Sequence, residues 1–152
     1  MCIRDRYRFV NNTIIDTPGE ALTSCGGVFL GNHARNLGGS FVHKSCAAAP
    51  PPRDRIENNE VIGVNLLGDA LMGHSEGAIT LSAHAGELVV LGNTFRDGRE
   101  GVFGLASGDD GYIVARRNVF ERFARRISYG DGLSAAALGV DIDEGNTWLS
   151  VD

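Results

Sequence analysis

One asparagine recurs through this chain in nearly constant company. The segments are Phe9-Val10-Asn11-Asn12-Thr13-Ile14, Phe29-Leu30-Gly31-Asn32-His33-Ala34 and Ile56-Glu57-Asn58-Asn59-Glu60-Val61. They continue with Val90-Leu91-Gly92-Asn93-Thr94-Phe95, Ala115-Arg116-Arg117-Asn118-Val119-Phe120 and Asp143-Glu144-Gly145-Asn146-Thr147-Trp148. The anchors Asn12, Asn32, Asn59, Asn93, Asn118 and Asn146 stand 20, 27, 34, 25 and 28 residues apart. Two residues after each anchor the chain is apolar: Ile14, Ala34, Val61, Phe95, Phe120 and Trp148. Three residues before, it is apolar in every segment but the last, where Asp143 stands beside Ile142.

The three-residue step breaks strict alternation. A short strand, an Asn bend and a second short strand would produce it. Val, Ile and Phe suit the strands, and Asn tolerates the left-handed backbone of a bend. A repeat of this length with one polar bend reads as a solenoid. Coils stacked about 4.8 Å apart would turn equivalent residues into ladders. A buried Asn ladder is acceptable, because each amide can bond the next coil. A β-sandwich with Asn-rich turns would bend every 8–12 residues or so, and these anchors are too far apart. The sequence therefore predicts an all-β, right-handed parallel β-helix of about five coils.

Composition agrees. Glycine makes up 21 of 152 residues, roughly double the usual ~7%. So much Gly disfavours a helical bundle and suits a chain that turns often. One helical candidate, Asn118 to Ile127, conflicts with Val119 and Phe120 as strand residues. The net charge of −5 argues against nucleic-acid binding, which wants a basic surface. No apolar run is long enough to span a membrane.

Residues 1–6 carry no secretory h-region and fall outside the repeat, so they read as a non-native leader. Residues 7–152 form one solenoid domain on this reading, and the pattern breaks off near Asp152 as in a piece of a longer protein. Residues 47–53, with Pro50, Pro51 and Pro52, form a stiff loop, since three prolines cannot enter a sheet interior. Cys25 and Cys46 are 21 residues apart, close to one coil. They read either as a disulfide between neighbouring coils or as two buried thiols. A disulfide would imply export, to the cell exterior or a periplasm.

Thirteen of the 14 basic residues are Arg. Seven lie between Arg96 and Arg126, while residues 127–152 hold five acids and no base. A basic stripe on an acidic solenoid suggests a site for anionic groups, because guanidinium binds carboxylate bidentately. The alternative is ordinary surface ion pairing, worth little per pair. His33, His43, His74 and His84 show no metal-ligand spacing. Ser75 and Ser82 sit near His74 and His84 without an elbow motif. All of these read as surface or ladder residues.

From Glu76 to Trp148 the chain resembles the pectate lyase-like β-helix proteins. The resemblance rests on Leu88-Val89-Val90-Leu91-Gly92-Asn93-Thr94-Phe95, then Ile113-Val114-Ala115-Arg116-Arg117-Asn118-Val119-Phe120, then Arg125-Arg126-Ile127-Ser128-Tyr129-Gly130. It implies β-elimination on an acidic, uronate-containing polysaccharide. Arg125 or Arg126 would be the base, and Arg116, Arg117 and Arg122 would hold substrate. Glu76, Asp97, Asp109 and Asp110 would be the carboxylates available to Ca²⁺, which takes several oxygen ligands. Two other readings stay open. Asp109-Asp110 resembles the paired carboxylates of a polygalacturonase-like hydrolase. Phe29-Leu30-Gly31-Asn32-His33-Ala34 followed by Gly38-Gly39 resembles non-catalytic, carbohydrate-binding surface solenoids.

Overall fold

The computed structural model describes residues 7–45, 53–67, 77–82, 86–105, 112–129 and 139–152. Every described strand pairs in parallel. The first coil is β1 (Tyr7–Val10), β2 (Thr13–Thr17) and β3 (Leu22–Ser24). The second is β4 (Gly27–Leu30), β5 (His33–Leu37) and β6 (Val42–Ser45). The third is β7 (Asp54–Glu57), β8 (Glu60–Val64) and β9 (Gly77–Ser82). The fourth is β10 (Glu87–Leu91), β11 (Thr94–Gly98) and β12 (Gly101–Leu105). The fifth is β13 (Tyr112–Arg116), β14 (Val119–Phe123) and β15 (Arg125–Tyr129). Two more strands follow, β16 (Gly139–Asp141) and β17 (Thr147–Val151).

Like positions stack into three sheets. The first holds β1, β4, β7, β10, β13 and β16; the second holds β2, β5, β8, β11, β14 and β17; the third holds β3, β6, β9, β12 and β15. The protein is a parallel β-helix of about five coils. The stretch Asn118 to Ile127 runs from a bend through β14 into β15, not through a helix.

Both apolar ladders form. Ile14, Ala34, Val61, Phe95, Phe120 and Trp148 are register partners in order along the second sheet. Phe9, Phe29, Ile56, Val90 and Ala115 do the same along the first. In the last coil Ile142, not Asp143, is buried in the core. The rings of Phe95 and Phe120 stack with centroids 5.9 Å apart, and those of Phe120 and Trp148 at 4.5 Å. Phe41 and Phe103 meet this stack edge-on.

The Asn anchors form the bend between the first and second sheets. Asn93 shows the pattern. Its Oδ1 accepts the backbone N–H and the side-chain N–H of Asn59, each at 2.8 Å. Its Nδ2 donates to Asn118 Oδ1 at 2.9 Å and to the Ile56 carbonyl at 2.8 Å. Asn32, Asn59 and Asn118 repeat these bonds to their own neighbours. Each interior amide thus uses its two acceptor sites and both donors.

One detail corrects the sequence reading. The anchors do not take the left-handed backbone; the residue before each one does. Asn11, Gly31, Asn58, Gly92, Arg117 and Gly145 have φ between 53° and 69°. The anchor's own carbonyl accepts the N–H of the residue that follows the next anchor, as the Asn12 carbonyl does from His33 and the Asn93 carbonyl from Val119. That bond keeps the anchor in the coil-to-coil ladder and moves the turn one residue upstream. A second left-handed row lies four residues after the anchors: Asp16, Asn36, Gly63, Asp97, Arg122 and Ser150. In the first four members of the first row Asn and Gly alternate for a packing reason. A Cβ on Gly31 would stand 2.4 Å from Asn11 Oδ1, and one on Gly92 would stand 2.6 Å from Asn58 Oδ1.

The strand limits locate the variation in coil length. In the five full coils, the connection from first to second sheet is always two residues. Connections into the third sheet run 4, 4, 12, 2 and 1 residues, and those out of it 2, 8, 4, 6 and 9. Most of the difference in anchor spacing therefore arises on the two flanks of the third sheet, and the rest comes from strand length and from the five residues between β16 and β17.

Candidate functional site on the third sheet

Alternation decides what the third sheet shows on each side. Val42, Ile79 and Phe103 are register partners and point into the core. On the opposite side Thr23, His43, Thr80, Gly104 and Ser128 form a second row, open to solvent at Thr23 and His43 and buried at Thr80, Gly104 and Ser128.

His43 has a partner on each ring nitrogen. Its Nδ1 lies against Glu20 Oε1, and its Nε2 is 2.6 Å from Ser82 Oγ. The second oxygen of Glu20 accepts the Thr23 hydroxyl at 3.1 Å. Three coils supply the three groups: Glu20 from the connection before β3, His43 from β6, Ser82 from the end of β9. Ser45 is the direct partner of Ser82, so the imidazole reaches it on the diagonal. The His43 and Glu20 side chains are 13% and 17% exposed, sheltered yet open to solvent. A carboxylate on Nδ1 fixes the tautomer with the proton there, which leaves the Nε2 lone pair facing the serine hydroxyl. Nearby, the buried Ser40 and Thr80 hydroxyls meet at 2.6 Å. Sequence reading had placed His43 and Ser82 among ordinary surface or ladder residues. The clue available was the matched alternation of Val42-His43-Lys44-Ser45 and Ile79-Thr80-Leu81-Ser82.

The inner side of the same strands holds a buried ion pair. Lys44 and Asp54 are both fully buried and in contact. Asp54 Oδ1 also accepts the Gly27 N–H at 2.6 Å, the Gly26 N–H at 3.2 Å and the Ser24 hydroxyl. The one lysine of the chain is therefore a core residue. Cys25, next to Ser24, is disulfide-bonded. Cys46, its expected partner, lies outside the described residues.

The predicted arginines do not converge. Arg116 ends β13 on the first sheet and donates to Asp141 at 2.5 Å. Arg117 is exposed at the bend between first and second sheets. Arg122 stands near the end of β14 on the second sheet, against Asp97 and Glu121. Arg125 and Arg126 open β15 on the third sheet. Arg126 lies over the Trp148 ring at 4.7 Å and reaches Asp143 at 3.2 Å. Arg125 is exposed. Of the seven arginines in the stripe, only Arg117 and Arg125 lack an ion pair among the described residues. The hydrogen bond from Arg122 holds the Asp97 carboxyl below the usual carboxylate range, against an opposing effect of burial. Bonds to Asp141 and Asp97 raise the Arg116 and Arg122 guanidinium groups in turn.

Among the four predicted Ca²⁺ ligands, Glu76, Asp109 and Asp110 lie outside the described residues. Both oxygens of Asp97 accept bonds from Arg122, so this carboxylate does not fit a metal ligand. No group of three or more His, Cys, Asp or Glu gathers among the described residues. No described helix is long and apolar enough to cross a membrane. A cleft of about 190 Å³ opens on the outer face of the second sheet, beside Ile15, His33, Arg35 and Glu60. His33 and Glu60 meet there at 3.2 Å, both well exposed.

Compared with known proteins, the chain matches no family model, no curated protein and no solved structure.

Proposed function

We propose that this solenoid is a carbohydrate-active protein that engages an acidic, uronate-containing polysaccharide along the outer face of its third sheet. The observation that carries this reading is that most of the coil-length variation falls on the two flanks of that sheet. Loops of varied length beside a rigid face are where binding chemistry collects. Arg125, exposed on that sheet and without an ion pair among the described residues, is the group left to meet a carboxylate. In a lyase it would take the proton from C5 of the uronate, next to the carboxyl group. Arg126 is engaged by Trp148 and Asp143, which makes it the weaker candidate. Asp97, the described member of the carboxylate set, is committed to Arg122 and not available to Ca²⁺. The Cys25 disulfide favours an exported protein.

A second reading, a carbohydrate-binding solenoid without turnover, is favoured by the ion pairs that engage five arginines of the stripe. Incubation with polygalacturonate and with alginate separates the two. Absorbance of unsaturated products, lost in Arg125→Ala, supports the lyase. Binding without products supports the second reading. New reducing ends without that absorbance point to a hydrolase, and no binding to either polymer overturns the proposal.

A further inference from the structure

We propose that Glu20, His43 and Ser82 form a nucleophilic site that hydrolyses carboxylic esters. The geometry is that of an activated serine: nucleophile on base, base on an orienting carboxylate. The Ser82 hydroxyl is 2.6 Å from His43 Nε2, within the reach that proton transfer needs. Glu20 is held in turn by the Thr23 hydroxyl at 3.1 Å. Each group comes from a different coil, so the stacked register sets their separation. Ser82 and His43 are partly exposed, so an ester can reach them.

The steps balance without a cofactor. Ser82 Oγ attacks the ester carbonyl carbon while its proton passes to His43 Nε2. The tetrahedral intermediate expels the alkoxide, which takes that proton from Nε2–H and leaves as the alcohol. Water then attacks the acyl-serine and gives one proton to Nε2. The carboxylic acid leaves as that proton returns to Ser82 Oγ. Glu20 accepts the Nδ1–H throughout and stabilises the imidazolium formed in each half. The net change is ester plus water to acid plus alcohol.

Two measurements test this on the full chain. The first is turnover of p-nitrophenyl acetate by wild type, Ser82→Ala, His43→Gln and Glu20→Gln, with the β signal of each variant checked by circular dichroism. Loss of the nucleophile or the base is expected to cost about 10³-fold or more, and loss of the orienting carboxylate less. The second is labelling of the wild-type chain with a fluorophosphonate, followed by peptide mass spectrometry. It needs no variant, so a folding defect cannot obscure it. An adduct on Ser82 that His43→Gln suppresses supports the site. An unlabelled Ser82, or undiminished turnover in folded Ser82→Ala, overturns it. The aryl ester carries no sugar, so this proposal and the polysaccharide reading fail independently.

Discussion

The bend between the first and second sheets and the flanks of the third sheet are built on opposite terms. At the bend every full coil spends two residues, and the buried amides close their hydrogen bonds on one another. Nothing reactive is left over. On the flanks of the third sheet the connections run from one residue to twelve. The polar groups there pair by chance of register across coils rather than by repetition: Glu20 with His43, His43 with Ser82, Lys44 with Asp54. A repeated ladder fixes the stack. The unrepeated face is then free to carry chemistry.

The largest expected effect would show that the third sheet also bears stability. Lys44→Met leaves the Asp54 carboxylate buried without its counter-charge, which should cost about 3–5 kcal/mol in urea unfolding. Adding Asp54→Leu should recover much of that loss. Asn93→Ala orphans groups on both neighbouring coils and should cost about 3 kcal/mol, as several buried bonds are lost together. Asn12→Ala, with a partner on one side only among the described residues, should cost about a third as much by the same reasoning. Gly92→Ala meets both a left-handed backbone and the Asn58 oxygen, and should cost about 1–3 kcal/mol. Gly19, in a connection into the third sheet, has open space where its Cβ would go. Gly19→Ala should stay within about 0.5 kcal/mol. If the two glycines respond alike, the contrast between bend and flank fails.

The smallest effect is electrostatic. The Asp97 carboxyl is held low by Arg122, so its contribution is complete above the ordinary carboxylate value. It is lost as the pH falls through the lower folded value, below about pH 4. Both side chains are substantially exposed, so solvent screens the pair and its contribution is slight. Asp97→Asn should lower stability slightly at pH 7, and the two unfolding curves should converge in strong acid.

The anchors and both apolar ladders were legible because they repeat as residue types at fixed offsets from Asn. The left-handed turn was legible as a need but misplaced by one residue, since Asn suits it and only the carbonyl ladder decides against the anchor. The arginine stripe misled because nearness in sequence is not nearness in a solenoid. Arg116, Arg122 and Arg125 lie within one coil, and one coil visits all three sheets. His43 and Ser82 failed the opposite test. They stand 11 and 23 residues after their anchors, and the difference is set mainly by the twelve-residue connection between β8 and β9. No rule counted from Asn could have aligned them.

The single tryptophan gives β17 its own optical signal. Trp148 stacks on Phe120 and carries the Arg126 guanidinium on its face. Neighbouring coils hold one another by nearest-neighbour contacts, so one coil can open ahead of the rest. When β17 peels away, the indole emission should shift red while most of the far-ultraviolet β signal persists. The distance between those two melting curves is a direct reading of how strongly one coil communicates with the next.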